Sequence, residues 1–240
     1  MAHRIMLIPA GFGVGLSSVT LGLIHACQQQ GINVGHFKPI SQPSRNARAK
    51  NNSQLVDIEA SGSIALSYVE QQMGDGRNDI VLEQIVEKFN AIDKAHDVVI
   101  IEGLIPTTRQ PYAGRVNRDV ARALSAEIVL VAAQDNDSVE EFEDRIEMSA
   151  ETFGGIKNSK LIGCIINKIN SPDKDEFGLL PREHEFNQHL DLAPLINLSI
   201  FKNRHFELLG TVPWEMDLIA PRVLDVASYL NADIINSGVV

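Results

Sequence analysis

The chain has 240 residues and a formal net charge of −10, with 44% hydrophobic and 22% charged residues. This length and composition are those of a globular protein with a sizeable core, in one large α/β domain or two small ones. An acidic surface disfavours binding to nucleic acids and anionic membranes, although backbone N–H groups can still bind an anion locally.

The sequence predicts no targeting or membrane segment. Residues 1–4 lead directly into an apolar run with no cleavable leader, and no apolar run approaches about 18 residues. Cys27 and Cys164 lie far apart in apolar segments. This favours buried free thiols in a reducing compartment over a disulfide or a metal pair. A cytoplasmic protein is therefore expected.

The first forty residues have the layout of a strand, a glycine-rich turn, a helix and a second strand. Ile5–Pro9 is a short apolar run, typical of a strand buried on both faces of a parallel sheet. The turn Ala10–Gly15 follows it, and Ser17 or Ser18 is predicted to cap the helix. Ile32–Phe37 is predicted to be the second strand. The pattern predicts a phosphate-binding strand–loop–helix unit.

The rest of the chain alternates between apolar runs and helical spacing. The predicted strands are Val98–Ile101, Ile128–Ala132, Leu161–Ile166, Leu208–Val212 and a short edge strand at Ala232–Ile235. The predicted helices are Leu55–Met73, Ile80–Ile92, Asn117–Leu124, Val139–Phe153 and Leu218–Leu230. This alternation predicts one α/β domain with a doubly wound, mostly parallel sheet and helices on both faces. Ligands are expected at the carboxyl ends of its strands.

Three polar segments have no clear periodicity. Ser41–Gln54 carries several basic residues and is interpreted either as a loop that folds over an anion or as a solvated connection. Thr107–Arg115 is predicted to be a loop. Ile169–Asn203 contains prolines and many charges, which is typical of a long insertion or lid.

The glycine-rich turn matches a phosphate-binding loop in all but one important position. In G-x-x-x-x-G-K-[ST], backbone N–H groups cradle phosphates, the lysine reaches the outer phosphates and the hydroxyl holds Mg²⁺. Here Ala10 and Gly15 take the glycine positions, Leu16 the lysine position and Ser17 the hydroxyl position. The candidate binding residues of the turn are Gly11, Gly13, Val14, Gly15, Leu16, Ser17 and Ser18. Hydrolysis is not expected without the lysine. Anion or nucleotide binding without turnover and a purely structural turn are the two alternatives.

Three more candidate ligand residues follow predicted strands. Lys38 precedes a proline and is interpreted as facing the crevice or as a solvated strand end. Glu102 has the position of a metal-holding acid beside such a loop, or else caps a turn or forms an ion pair. Asn167, followed by Lys168, either reads a base edge or forms a turn. No nucleophile–base pair and no metal-ligand spacing is found, so no catalytic or metal residue is predicted.

Short motifs along the chain closely resemble the amino-terminal region of the long, multidomain bacterial phosphate acetyltransferases. They are Met6–Pro9, Gly13–Val19, Phe37–Ile40, Ser67–Glu70, Val99–Pro106, Ser125–Val129, Phe153–Asn158, Ile166–Lys168, Gly210–Trp214 and Leu230–Asn236. The resemblance is weakest in Pro43–Asp57 and Ser171–Asn203. The same region is similar in fold to dethiobiotin synthetase, an ATP-dependent enzyme that keeps the loop lysine. The long phosphate acetyltransferases have leucine there, as at Leu16.

The resemblance implies that residues 1–240 form a single P-loop-like regulatory domain. The parent enzyme would interconvert acetyl-CoA plus phosphate with acetyl phosphate plus CoA. In the family that chemistry lies in a carboxyl-terminal domain after a middle domain. Both are expected to be absent here, so this chain alone is not expected to be catalytic.

The resemblance also implies partners for the chain. These are the remaining domains of the parent enzyme, other copies in a homo-oligomer and a small-molecule metabolite effector. No cofactor is required, although the degenerate loop is a candidate site for a nucleotide or anion effector. The alternative functions are an ATP-dependent ligase like dethiobiotin synthetase and a pure oligomerisation scaffold.

Overall fold

Six parallel strands form the main sheet of the computed structural model, which describes residues 2–42, 62–107, 110–134, 137–171 and 193–215. Its strands are β1 (His3–Pro9), β2 (Val34–Phe37), β5 (Val98–Glu102), β6 (Glu127–Ala132), β7 (Leu161–Ile169) and β8 (Glu207–Pro213). They lie in the order β2-β5-β1-β6-β7-β8. Two short strands, β3 (Ile40–Ser41) and β4 (Ile64–Ala65), pair with each other in parallel.

Helices cover both faces of this sheet. They are α1 (Leu16–Gln29), α2 (Leu66–Gly74), α3 (Asn78–Ala95), α4 (Ala113–Ala123), α5 (Val139–Glu151) and the short α6 (Ala193–Ile196), with a 3-10 turn at Ser199–Lys202. Because side chains alternate along a strand, each central strand contributes side chains to two hydrophobic cores, one on each face of the sheet. In β5, Ile100 packs towards α1, whereas Val99 and Ile101 pack towards α3, α4 and α5. The predicted doubly wound α/β fold is therefore confirmed.

The register of the central strands decides where the glycine-rich turn lies. β1 pairs with β5 on one edge and β6 on the other. Leu7 lies opposite Glu102, and Pro9 lies opposite Val131. Since all these strands run in the same direction, the turn after Pro9 and the carboxylate of Glu102 meet at the carboxyl edge of the sheet.

Several predicted boundaries are wrong. The helix predicted over Leu55–Met73 begins only at Leu66 in the described residues, because Ile64–Ala65 pair with β3. The loop predicted at Thr107–Arg115 ends before Ala113, where α4 starts. Apolar periodicity cannot detect the first change, because strand pairing rather than hydrophobicity sets that helix start.

Two further segments differ from their predictions. The strand predicted over Leu161–Ile166 continues to Ile169, because β8 pairs with it as far as Pro213. The irregular stretch Ile169–Asn203 contains α6 and the 3-10 turn near its end.

Part of the predicted organisation lies outside the described residues. This applies to most of Ser41–Gln54 and of Ile169–Asn203, and to all of Leu218–Leu230 and Ala232–Ile235. Within the described residues, no helix is both long and apolar enough to cross a lipid bilayer.

Both cysteines are free thiols, but only Cys164 has the burial that was predicted for both. Cys164 is fully buried in β7, and burial raises the pKa of its thiol to about 12. Cys27 is only partly buried, although its spacing from Leu16 and Thr20 places it on the buried side of α1. Cys164 is therefore a small core residue, held in its uncharged form.

A buried ion pair joins the start of β1 to α3. Arg4 donates from Nε to Asp93 Oδ1 at 2.8 Å and from Nη2 to Oδ2 at 3.0 Å. Its Nη1 donates to the carbonyl of Leu124 at 2.8 Å. The hydrogen bonds from Arg4 are the main reason why the pKa of Asp93 lies below its ordinary value. One guanidinium thus ties β1, α3 and the end of α4 together.

The substitution Asp93→Asn is expected to lower the free energy of unfolding by about 2 kcal/mol, because it weakens the charge-assisted hydrogen bonds of the partly buried Arg4. Urea denaturation at pH 7 measures this change. Asp119→Asn, which removes a pair with the exposed Arg115, serves as the control. It is expected to cost less than about 0.5 kcal/mol. Equal losses in the two variants would contradict a structural role for the Arg4–Asp93 pair.

Candidate functional site

Three glycines give the turn between β1 and α1 its shape. Gly11, Gly13 and Gly15 have φ angles of 152°, 62° and 77°. Residues with a Cβ are strained in this region, which explains the glycine pattern. Gly15 is itself the N-cap of α1, and no side chain caps the helix. The prediction that Ser17 or Ser18 is the cap is wrong, because both serines already lie within the first helical turn.

The turn presents a row of backbone donors. Ala10 donates its N–H to Val131, and Val19 donates to Gly15. Between these two, the N–H groups of residues 11–18 make no hydrogen bond to another described residue. Backbone N–H groups at a helix N-terminus are the donors with which phosphate-binding loops hold anions. The turn therefore retains the donor set of an anion cradle.

Two side chains of β7 donate hydrogen bonds to carbonyls of the turn. Asn167 donates from Nδ2 to the carbonyl of Val14 at 2.8 Å, and Lys168 donates from Nζ to the carbonyl of Gly13 at 2.5 Å. Any side chain at Gly15 would collide with the Asn167 amide. Asn167 lies inside β7 and is buried, not at a turn after the strand as predicted. Its amide group thus positions the turn.

Arg145 of α5 is a cation beside the turn that sequence reasoning missed. Its Nη2 donates to the carbonyl of Ala133 at 2.7 Å, and it forms an ion pair with Asp137. A Cβ at Gly11 would lie only 2.7 Å from Arg145 Nη1. The available signal was its position as the single basic residue in the acidic helix predicted over Val139–Phe153.

Glu102 gathers two of the other predicted residues into one cluster. Its Oε1 accepts a hydrogen bond from Lys38 Nζ at 2.6 Å and another from Ser17 Oγ at 2.8 Å. Its Oε2 faces His36 Nε2 at 3.6 Å, which is beyond hydrogen-bond distance. Glu102 is 5% exposed. Of the interpretations left open for it, the ion pair is the one the structure shows.

The charge of this cluster is well defined. Burial by itself raises the pKa of Glu102, but the neighbouring His36, Lys38 and Ser17 outweigh burial and lower the pKa to about 2. Glu102 is therefore ionised at neutral pH and balances the charge of Lys38. No group of three or more histidine, cysteine or acidic side chains within the described residues is placed to hold a metal ion.

Two side-chain amides hold the segment that follows Glu102. Asn117 accepts from the N–H of Leu104 at 2.7 Å and donates to its carbonyl at 2.9 Å. Gln42 does the same for Ile105, at 3.0 Å and 2.8 Å. Each side-chain amide thus bonds to both backbone groups of one residue, as a neighbouring strand would. Sequence patterns gave no signal for either residue, because both partners are backbone groups distant in sequence.

Leu16 does not lie in the crevice. Its side chain is 2% exposed and belongs to the core between α1 and the sheet, with Leu7 and Ile100. The position that carries the lysine in a hydrolytic loop is thus part of the hydrophobic core. The backbone donors of the turn suit an anion, whereas the cation needed for hydrolysis is absent from this position.

Comparison with known families and proteins adds to this geometry. Residues 3–222 match the family model described as "AAA domain". The chain is 38% identical over 248 residues to phosphate acetyltransferase from Escherichia coli, which covers 99% of this chain and 35% of that protein. It is 37% identical to phosphate acetyltransferase from Salmonella typhimurium, covering 99% of this chain and 34% of that protein. The chain spans about a third of the length of these relatives. The resemblance predicted from the motifs is confirmed.

Solved structures give a more distant likeness. Chloroplast FtsY from Physcomitrella patens is 18% identical, with a TM-score of 0.45 over 70% of this chain and 50% of that chain. The signal recognition particle receptor FtsY from Elizabethkingia anophelis is 16% identical, with a TM-score of 0.44 over 70% and 51%. This likeness concerns the fold alone.

The lowered pKa of Glu102 predicts a specific acid sensitivity. A carboxylate whose pKa falls from 4.5 to about 2 on folding stabilises the protein above pH 4.5. That contribution disappears as the pH falls towards 2, and about 2 kcal/mol of it is expected to be lost by pH 3. Urea denaturation from pH 6 to pH 3 should therefore show a shallower loss of stability in Glu102→Gln than in the unsubstituted protein. Parallel pH profiles would contradict this assignment.

Restoring a lysine at position 16 is expected to destabilise the fold. Leu16→Lys places an ammonium group in an apolar core, and we expect a loss of at least about 3 kcal/mol in the free energy of unfolding. Leu16→Met, which keeps the volume, is expected to cost less than about 1.5 kcal/mol. Chemical denaturation of the three proteins tests both values. A Leu16→Lys protein as stable as the unsubstituted protein would show that this side chain can reach water.

Proposed function

Because the chain belongs to the AAA domain family, and because it aligns with about a third of the length of phosphate acetyltransferases, we propose that it is a regulatory and assembly domain of such an enzyme. The parent reaction is the conversion of acetyl-CoA and phosphate into acetyl phosphate and CoA. The single observation that carries this proposal is a loop with intact anion donors and a core leucine in place of its lysine.

The site supports ligand binding better than catalysis. The buried carboxylate of Glu102 is ionised and already paired with Lys38, so it is a poor general base or acid at neutral pH. The hydroxyl of Ser17 donates to that carboxylate, and no histidine of the described ranges hydrogen-bonds to it as a base would. We therefore place the transacetylase chemistry in the part of the parent enzyme that this chain does not match.

An anionic effector is the ligand class that the turn supports. The backbone N–H groups of residues 11–18 have no partner among the described residues, and Arg145 lies against the turn at Gly11. A helix N-terminus and a nearby guanidinium both favour negative charge. We propose that a metabolite carrying phosphate or carboxylate groups binds there and alters the activity of the parent enzyme in the cytoplasm.

The assembly role rests on the family resemblance. An ATP-dependent ligase like dethiobiotin synthetase is the second candidate, because Ser17, Lys38 and Glu102 do come together beside the turn. The burial of Leu16 in the core counts against it. Magnesium-dependent ADP production by the purified chain at ordinary enzyme rates would favour the ligase over the regulatory domain.

Direct assays of the purified 240-residue chain are expected to show binding without transacetylation. We expect no release of CoA thiol from acetyl-CoA and phosphate. Calorimetric titration with ATP, NADH, pyruvate and phosphate is expected to detect binding of at least one of them. Release of CoA thiol would contradict the regulatory assignment. No detectable binding of any of the four ligands would favour a scaffold.

A chimera tests regulation itself. The matching third of the Escherichia coli relative is replaced by this chain, and transacetylase activity is measured against the effector found by calorimetry. Gly15→Ala is expected to abolish the response, because a Cβ there collides with Asn167. Gly31→Ala is the matched control, since Gly31 also has a positive φ, of 73°, but open space around it. An effector response that survives Gly15→Ala unchanged would place the effector elsewhere.

A further inference from the structure

We propose that Glu102 is a specificity-determining residue that competes with anionic ligands for Lys38 and Ser17. The inference rests on the proposed function, because the crevice concerned is the one beside the glycine-rich turn. It adds a role that the loop pattern does not contain: the protein's own carboxylate takes the place of a ligand's anionic group.

The geometry shows that one carboxylate oxygen uses both side chains. Oε1 of Glu102 lies 2.6 Å from Lys38 Nζ and 2.8 Å from Ser17 Oγ. A serine hydroxyl has one proton to donate, so Ser17 cannot donate to Glu102 and to a ligand at the same time. The side chain of Lys38 is 29% exposed, so its ammonium group can reach a ligand in the crevice. It has three protons to donate, but its charge is already balanced by Glu102, so a ligand would compete with that carboxylate for the cation.

The burial of Glu102 makes that exchange unfavourable. The side chain of Glu102 is 5% exposed. If Lys38 turned to a ligand, an ionised carboxylate would be left buried without its cation, which is strongly destabilising. An incoming anion would also be repelled by the same carboxylate. Anions therefore bind through the backbone donors of the turn alone, and Lys38 and Ser17 add little.

This arrangement contrasts with the rest of the turn. The N–H groups of residues 11–18 have no partner among the described residues, whereas the two polar side chains beside them are already engaged. The backbone N–H donors of the site are thus available to a ligand, whereas the side-chain donors of Ser17 and Lys38 already bind Glu102. Removing the competing charge is expected to release both side chains for ligand binding without changing the turn.

The substitution Glu102→Gln tests the competition, with inorganic pyrophosphate as the probe. Titrations are run by calorimetry in EDTA at pH 7 and low salt. We expect pyrophosphate to bind at least about tenfold more tightly to Glu102→Gln than to the unsubstituted protein, since a repelling charge is removed and a cation is freed. Unchanged or weaker binding would overturn the proposal.

Asp93→Asn is the matched control. Asp93 is also a buried carboxylate that pairs with a cation, Arg4, and it lies near the start of β1 rather than at its carboxyl end. Asp93→Asn changes the net charge of the protein by the same amount as Glu102→Gln does. Pyrophosphate affinity is expected to remain within about twofold of that of the unsubstituted protein. A gain equal to that of Glu102→Gln would reduce the effect to net charge and overturn the proposal.

A second variant covers the case in which Glu102→Gln does not fold. Ser17→Ala keeps the pair between Glu102 and Lys38. Because the hydroxyl serves Glu102 and not the ligand, Ser17→Ala is expected to leave pyrophosphate affinity within about twofold. A loss larger than about tenfold would mean that Ser17 contacts the ligand directly, which contradicts the competition.

The two proposals fail in different ways. If the chimera shows no effector response, the regulatory function is wrong, while the comparison of Glu102→Gln with its controls still measures the competition. If the chimera responds but Glu102→Gln gains no affinity for pyrophosphate, the regulatory function stands and the competition is wrong.

Discussion

The position of β1 between two parallel partners is the constraint on which the site depends. Its register with β5 sets Leu7 opposite Glu102, and its register with β6 sets Pro9 opposite Val131. A strand that is hydrogen-bonded on both edges and buried on both faces cannot shift by one residue without exposing its core. The turn after Pro9 is therefore fixed beside the carboxylate of Glu102, and every contact of the crevice follows from that placement.

Distant elements then fix the shape of the turn and of the segment after Glu102. Asn167 and Lys168 hold carbonyls of the turn, while Gln42 and Asn117 hold the backbone just beyond Glu102. These contacts leave the N–H groups of the turn without partners in the described part of the chain. A cradle that is rigid before a ligand arrives loses less conformational freedom on binding. This is the physical basis for proposing that the loop binds a ligand although its lysine position is part of the core.

The sequence allowed much of this to be predicted, and the errors have physical reasons. Lys38 and Glu102 were identified because charged residues at the ends of buried strands converge at one edge of a parallel sheet. Asn167 was placed after a strand because the apolar run stops before it, yet β8 extends the pairing past that point. Gln42 was missed, since its partners are the backbone groups of Ile105, which no residue pattern encodes. Arg145 was missed because a single basic residue in an acidic helix does not reveal that the helix packs beside the turn.

The sequence by itself determined the fold class, the glycine-rich turn and the resemblance to phosphate acetyltransferases, because these depend on local order: apolar periodicity, glycine spacing and motif succession. Only the tertiary structure decided what the side chains of that turn do. Leu16 enters the core, and Ser17 and Lys38 bind Glu102. Those outcomes depend on which way a helix faces and on which charges are buried together. Both are set by packing between segments more than sixty residues apart.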